Sequence, residues 1–209
     1  MLRDPKRTLR PVESNVSCVT LRSAERFTTS RPGSTTRHCF SFGHHYDAAN
    51  VSFGPVVAVN DEVLAPGAGF DDHAHAGLVV ITYVVLGSLA HQGISTRTVT
   101  AGQVAVLRTG SGVVHAERNA GPGELRFVQT WLTTSAPDTS YDVVDGPVVG
   151  DGWRFEVLAL APGATCQVTG HVFAVTGAAG PLSEGDSLRC EELTSLTAVE
   201  ATTLLTVAW

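Results

Sequence analysis

The feature that most constrains this chain is a recurrence of short strand-like runs separated by turns. Runs of β-branched and aromatic residues alternate with Gly, Pro, Asn and Asp about every 8–12 residues. No segment carries an amphipathic helical pattern of three turns. The pattern predicts an all-β barrel or sandwich. We place strands at residues 16–21, 55–60, 79–86, 103–107, 126–132, 154–160, 164–168, 171–175, 195–199 and 203–208, with a hairpin across 90–99.

Three local predictions accompany this pattern. The run 79–86 (VVITYVVL) does not alternate with polar residues, so both faces of its strand are expected to be covered. Residues 31–36 (RPGSTT) are expected to form a loop, and Asn60-Asp61 a turn that ends the preceding strand. Residues 135–151 carry repeated Pro, Asp and Gly, which makes them the best candidate for a boundary between two halves.

Charge is distributed unevenly along the chain. The 209 residues are 43% hydrophobic and 16% charged, with a formal net charge of −6. Residues 1–37 hold eight Arg and Lys against three acids, and residues 38–209 hold six against seventeen. The basic segment is interpreted as a solvated terminus in preference to a binding arm. The acidic body argues against direct nucleic-acid binding, which needs a basic surface.

The cysteines and the apolar runs give expectations about the cellular environment. Cys18, Cys39, Cys166 and Cys190 form no C-x-x-C pair, which argues against a thiolate zinc site. No secretory signal is visible, and the longest apolar run is too short to span a bilayer. A cytoplasmic protein with reduced thiols and no membrane contact is therefore expected.

Two pairs of potential metal ligands stand out. His73 and His75 flank Ala74, and His115 and Glu117 flank Ala116. Residues two apart on a strand point to the same face, so two such strands can direct four donors at one ion. Imidazole and carboxylate donors suit iron, manganese, nickel, copper or zinc. Such a donor set leaves room for water or substrate at a five- or six-coordinate ion, which is typical of a catalytic site.

Longer motifs around these pairs resemble the pirin-like proteins of the cupin superfamily. They are HCFSFGHHYD (38–47), FGPVVAVND (53–61), GAGFDDHAHAGLVVITYVVLGSLAHQ (67–92) and AGQVAVLRTGSGVVHAERN (101–119). The resemblance implies that His73, His75, His115 and Glu117 bind a divalent metal, usually Fe(II). The chain departs from many relatives at Val79, where they carry a Glu beside the metal. The missing carboxylate would remove a proton acceptor or alter the metal preference.

The resemblance also implies an architecture. The fold expected is a cupin double-stranded β-helix (jelly-roll) barrel, in a bicupin with a shortened C-terminal half. Residues 1–37 would form the basic arm and first strand, 38–135 the metal-binding domain, 136–150 a linker, and 151–209 a β half without ligands. The first strand is expected to pack across onto that second half.

Two functions are compatible with the resemblance. The first is a quercetinase-type dioxygenase acting on a flavonol-like phenol, with Glu117 as the general base and Phe42, Val79 and His91 near the substrate. The alternative is a metal- or redox-dependent regulator that acts through protein partners. A cupin whose catalysis has decayed is a third interpretation, suggested by Val79.

Several further side chains are interpreted as structural. His38, His44 and His45 are expected to shape the segment that packs across the barrel. Gln129 and Trp131 share one face of their strand, where packing is the default interpretation. His171 has no H-x-H or H-x-E partner and is expected to be structural or exposed.

Overall fold

The computed structural model describes residues 18–209, and these form strands joined by turns with a single 3₁₀ turn at Ser23–Glu25. The all-β prediction is confirmed. The expectations for residues 1–17 lie outside the described residues. Within residues 18–209, no helix is long and apolar enough to cross a membrane. The strands are β1 Cys18–Leu21, β2 Phe27–Arg31, β3 Ser34–His38, β4 Val56–Leu64, β5 Gly69–His75, β6 Leu78–Leu86, β7 Ser88–Gln92, β8 Arg97–Thr100, β9 Val104–Thr109, β10 Val113–Asn119, β11 Leu125–Thr133, β12 Thr139–Val144, β13 Val148–Gly150, β14 Trp153–Leu160, β15 Thr165–Thr176, β16 Ser187–Thr197 and β17 Thr202–Ala208.

Three sheets lie in layers. The central one has seven strands in the order β12-β9-β6-β11-β4-β3-β2. One of its faces packs against a four-stranded sheet, β5-β10-β7-β8, to enclose the interior of a barrel. The opposite face packs against a six-stranded sheet, β1-β16-β15-β17-β14-β13, which holds a further apolar cluster on its far side.

Strand β6 shows how the central sheet serves two cores. Val79 and Ile81 belong to the apolar cluster shared with the six-stranded sheet. Val80 and Val84 point the other way, into the cluster inside the barrel. Because neighbouring side chains on a strand face opposite sides, an unbroken apolar run is what two cores require. The prediction that both faces are covered is confirmed.

Strand β4 continues through the predicted turn at Asn60-Asp61, and that prediction is wrong. Asn60, Asp61 and Glu62 are all buried within the strand. Asp61 faces the six-stranded sheet, where Arg26 approaches its Oδ2 to 3.4 Å and Arg126 Nε donates to its Oδ1 at 2.9 Å. These ion pairs neutralise the Asp61 carboxylate. Without them, the cost of burying its charge would oppose a buried strand at this position.

Two other segments also contain strands where loops were expected. Residues 31–36 lie in the β2–β3 hairpin, whose turn places Gly33 at a φ of 77°. The expected linker 136–150 contains β12, which pairs with β9, and β13, which pairs with β14. Polar, β-branched sequences such as TSYDVV satisfy an edge position, so pairing decides their conformation more than local propensity does.

The first strand packs onto the C-terminal half of the chain, as predicted from the sequence. Strand β1 pairs with β16, which sets Cys18 directly opposite Cys190. The two cysteines form a disulfide, so the expectation of reduced thiols is wrong for this pair. Only the pairing of strands 172 residues apart brings the two thiols together. Cys39 and Cys166 remain free.

Replacing Asp61 with Asn is expected to lower the free energy of unfolding by about 3–5 kcal/mol, because the buried Arg26 loses its counter-charge. The matched control is Glu156→Gln, which removes the partner of the exposed Arg154 and should leave stability unchanged within error. Denaturant unfolding measures both. Equal effects would contradict a structural role for the Asp61 pairs.

Denatured, unreduced protein is expected to titrate with two free thiols, those of Cys39 and Cys166. The double change Cys18→Ser and Cys190→Ser should lower the free energy of unfolding by about 2–4 kcal/mol, since the disulfide closes a long loop. Cys166→Ser, in the same sheet, is the control and should cost less. Four free thiols in the unreduced protein would refute the disulfide.

Candidate metal centre

Pairing between β5 and β10 gathers three of the four predicted ligands. His115 lies opposite His73, and Val113 lies opposite His75. The ring centroids of His73 and His115 are 4.3 Å apart, and those of His75 and His115 are 5.1 Å apart. One ligand atom from each of the three histidines lies within 4.8 Å of the other two. The alternation that the sequence predicted therefore brings the three imidazoles to one point.

A bulge in this pairing shapes the approach to the first ligand. The register shifts between His115 and Glu117. His115 is paired with His73 on the neighbouring strand, whereas Glu117 is paired with Phe70. A bulge inserts an extra residue and lets residues three apart share a face. Phe70 thus packs against the barrel core while the ring of His73 lies 6.4 Å from its own.

The unsatisfied nitrogens of the cluster fit a metal ion. His115 is buried, and neither of its ring nitrogens has a hydrogen-bond partner among the described residues. Buried polar atoms are rarely left unpaired, so an imidazole with two such nitrogens indicates a missing ligand. The Nδ1 of His73 donates to the carbonyl oxygen of Asp71 at 2.7 Å, which leaves its Nε2 lone pair available.

Burial also keeps two of these imidazoles in the form that binds metal. Burial, with a smaller contribution from the neighbouring His73, lowers the pKa of His75 to about 4 and that of His115 to about 3. Both rings are therefore neutral at pH 7, with lone pairs available. Proton competition for these two ligands becomes important only in acid.

Glu117 is held beside the cluster by a chain of hydrogen bonds. Trp131 Nε1 donates to Gln129 Oε1 at 3.2 Å, which turns the amide Nε2 of Gln129 towards Glu117. That Nε2 lies 2.9 and 2.8 Å from the two carboxylate oxygens. Burial raises the pKa of Glu117 to about 7, and the bond from Gln129 opposes that rise. Glu117 is outside the group of atoms within 4.8 Å, so its role as a ligand stays a prediction.

A cavity of about 410 Å³ opens beside the cluster, and both His73 and Glu117 line it. Aromatic walls come from Phe42, Phe70 and Trp131. Its polar wall belongs to β3, β4 and β11 and consists of Thr36, His38, Asn60, Glu62 and Gln129. Of the three residues predicted near the substrate, Phe42 lies here.

Val79 and His91 lie elsewhere. Val79 is in the apolar cluster between the central and six-stranded sheets, because it lies on β6, whose odd-numbered residues face away from the barrel. His91 is fully buried inside the barrel, with its ring 5.1 Å from that of His115. It stacks on Tyr141 at a centroid distance of 3.6 Å, and its Nδ1 donates to the Ser95 carbonyl. His91 therefore backs the cluster from the side opposite the solvent.

The remaining histidines were correctly separated from the cluster by sequence. His38 Nδ1 bonds Asn60 Oδ1 at 2.9 Å, while His38 and His45 both contact the Thr29 hydroxyl. His44 lines the cavity mouth. His171 is buried in the C-terminal half with its ring 5.5 Å from Phe40, as a structural residue.

Sequence reasoning missed three functional candidates. Asn60 and Glu62 were assigned to or next to a turn, and Gln129 to packing. A signal was present in the sequence: Asn60 and Glu62 are two residues apart in a run that is apolar before residue 60 and after residue 62, and Gln129 and Trp131 have the same spacing. Polar residues at inward positions of a strand indicate a cavity wall.

The protein is expected to bind one divalent ion per chain through the three histidines. His115→Ala should weaken that binding about 100-fold or more, since it removes a ligand. His44→Ala, at the cavity mouth, is the matched control and should retain the metal. Elemental analysis after dialysis against a weak chelator measures both. Full metal content in His115→Ala would refute this centre.

Solved structures share this fold. The bacterial pirin YhhW of Escherichia coli, in a structure described as a complex with nickel(II), superposes with a TM-score of 0.83 at 22% identity, over 91% of this chain and 97% of that one. A quercetin 2,3-dioxygenase of Acinetobacter baumannii superposes with a TM-score of 0.66 at 20% identity, over 87% of this chain and 82% of that one. These matches confirm a cupin-type β-barrel.

Sequence comparisons identify the family. A putative quercetin 2,3-dioxygenase of Mycobacterium tuberculosis is 30% identical over 156 residues, which are 72% of this chain and 64% of that protein. A pirin-like protein of Caulobacter vibrioides is 42% identical over 99 residues, 46% of this chain and 42% of that protein. The chain thus spans less than two thirds of the length of these relatives. The Pirin family model matches residues 20–132, and the chain belongs to the pirin family of cupins.

Proposed function

We propose that this protein is a metal-dependent dioxygenase that acts on a flavonol-like phenol. The observation that carries the proposal is a cluster of three histidines, of which His73 lines the wall of a 410 Å³ cavity with aromatic sides. Cavities of about 300–1,000 Å³ suit small organic ligands. Relatives named as quercetin 2,3-dioxygenases support the same chemical class.

His73, His75 and His115 would hold the metal, with Glu117 completing the set. A bound divalent ion would supply a Lewis acid and a centre for oxygen chemistry, and Fe(II) is our proposal for its identity. Manganese, nickel, copper and zinc remain compatible with the same donors.

Glu117 is the proposed general base. Its carboxylate lines the cavity, where a phenolic hydroxyl can reach it, and Gln129 fixes its orientation. A base must lie within hydrogen-bond reach of the proton that it takes. The bond from Trp131 through Gln129 leaves Glu117 little rotational freedom, so a proton accepted there is held close to the histidine cluster.

The aromatic walls would orient a flat substrate. Phe42 and Trp131 meet edge to face with centroids 5.1 Å apart, and Trp131 lies 4.7 Å from the ring of His75. Together they form a corner beside the metal ligands. A planar polyphenol that stacks in this corner has its hydroxyls directed at the polar wall of β3, β4 and β11.

Oxygen uptake with quercetin tests the proposal. Metal-loaded protein is expected to consume oxygen in proportion to quercetin, and His115→Ala is expected to consume none. Glu117→Gln, compared at equal metal occupancy, should lower kcat about 10²–10⁴-fold because it removes the base. Glu124→Gln applies the same change in an exposed loop and should leave kcat unchanged.

The outcome that contradicts this function is full metal content without uptake for quercetin or related flavonols. That result would favour the alternative, a regulator that acts through protein partners.

A further inference from the structure

We propose that Glu62 is a specificity-determining residue, whose carboxyl group binds a hydroxyl on an outer ring of the phenolic substrate. This inference rests on the proposed function, because it concerns the same cavity. It adds a second recognition point to the one at the histidine cluster. The substrate class that follows is a polyphenol with a hydroxyl group on an outer ring, remote from the oxygen that would bind the metal.

The position of Glu62 carries the first step. Its side chain lines the cavity together with Glu117, although the residue is only 4% exposed. On the neighbouring strands Thr36 lies opposite it on one side and Phe127 on the other, both with side chains on the inner face of the barrel. Glu62 therefore belongs to the wall of the cavity and not to its mouth.

The hydrogen bonds of Glu62 leave it incomplete. The Thr36 hydroxyl donates to Oε2 and anchors the carboxyl group. Among residues 18–209, Oε1 has no hydrogen-bond partner, and no arginine or lysine forms an ion pair with Glu62. Because Glu62 lines the cavity, this oxygen is available for a hydrogen bond with a ligand or water there.

The neighbouring acid shows the contrast. Asp61 faces the other side of the sheet, where two arginines neutralise it. Among the described residues Glu62 forms no such ion pair, and burial raises its pKa to about 8. Repulsion from Glu117 and Asp61 adds to the rise, whereas the bond from Thr36 and the charge of Arg31, which also lines the cavity, oppose it. A protonated carboxyl group has both a donor and acceptors, so it can bond a hydroxyl in either direction.

A hydrogen-bonding group in a cavity discriminates strongly. A ligand that lacks the matching hydroxyl leaves the buried group unpaired, and it is rejected more strongly than a ligand of the wrong size. Glu62 thus gives this cavity a preference for hydroxylated ligands, which aromatic walls alone cannot give. Its contact is with the bound ring and not with the reacting atoms, so it affects affinity more than turnover.

Equilibrium binding of two flavonols tests this inference. Quercetin carries hydroxyls on both outer rings, whereas 3-hydroxyflavone lacks them and keeps the enol and carbonyl groups. Binding is measured anaerobically on metal-loaded protein by calorimetry, and quenching of tryptophan fluorescence serves as a second readout. The variants are Glu62→Met, which removes the polar group at similar volume, and Glu62→Gln, which restores a neutral donor and acceptor.

Glu62→Met is expected to raise the Kd for quercetin about 10-fold or more, since it removes a hydrogen bond to a buried group. The Kd for 3-hydroxyflavone should change less than about 2-fold. Glu62→Gln should recover most of the quercetin affinity, and Glu124→Gln should change neither Kd. In turnover, Glu62→Met should raise KM for quercetin with kcat nearly unchanged. Metal content and the melting curve confirm that each variant is folded.

Two results would overturn the inference. If Glu62→Met weakens both flavonols equally, or neither, Glu62 does not read the outer hydroxyls, and the proposed function stands without it. If wild-type protein with full metal content binds neither flavonol, the proposed function fails and this inference fails with it.

Discussion

The two faces of the central sheet depend on one constraint, the alternation of side chains along its strands. Asp61 and Glu62 are adjacent acids on β4, yet they lie in different environments. Asp61 faces the six-stranded sheet and is neutralised by Arg26 and Arg126, whereas Glu62 faces the cavity and has only a hydroxyl. Arg126 also reaches the Val175 carbonyl, so the same ion pair ties the two halves together. A shift of one residue in the register of β4 would exchange these environments and destroy both.

The same alternation produces a centre whose charges are unfavourable without a ligand. Next to neutral His75 and His115 is a cavity lined by two buried carboxyl groups, Glu62 and Glu117, whose pKa values are raised. Among residues 18–209 no cation forms an ion pair with Glu117; its partner is the Gln129 amide. A divalent ion would reverse this imbalance, because it favours both neutral imidazole and ionised carboxylate. Metal binding and the stability of the barrel are thereby coupled.

The sequence predicted most of the centre because its ligands obey a local rule. The H-x-H and H-x-E spacings place both donors on one face of a strand whenever that strand forms, and both β5 and β10 form. Prediction was less successful where a residue's state depends on distant partners. Asn60-Asp61 has the composition of a turn, and a strand forms there because Arg26 and Arg126 pair with Asp61 and the His38 imidazole bonds Asn60. Cys18 and Cys190 likewise meet only through strand pairing.

Position 79 shows how the structure changes the meaning of a departure from the family. The sequence suggested that Val79 removes a carboxylate next to the metal. In the structure its side chain lies among apolar residues such as Ile81 and Phe173, on the face of β6 opposite the barrel interior. A carboxylate there would face a dry core between sheets and would need a buried counter-charge of its own. Val79 therefore stabilises the packing of the halves, and the acids that face the cavity are Glu117 and Glu62. In the proposed function Glu117 is the base and Glu62 contacts the substrate, and the absence of a further carboxylate at position 79 gives no reason to regard the centre as decayed.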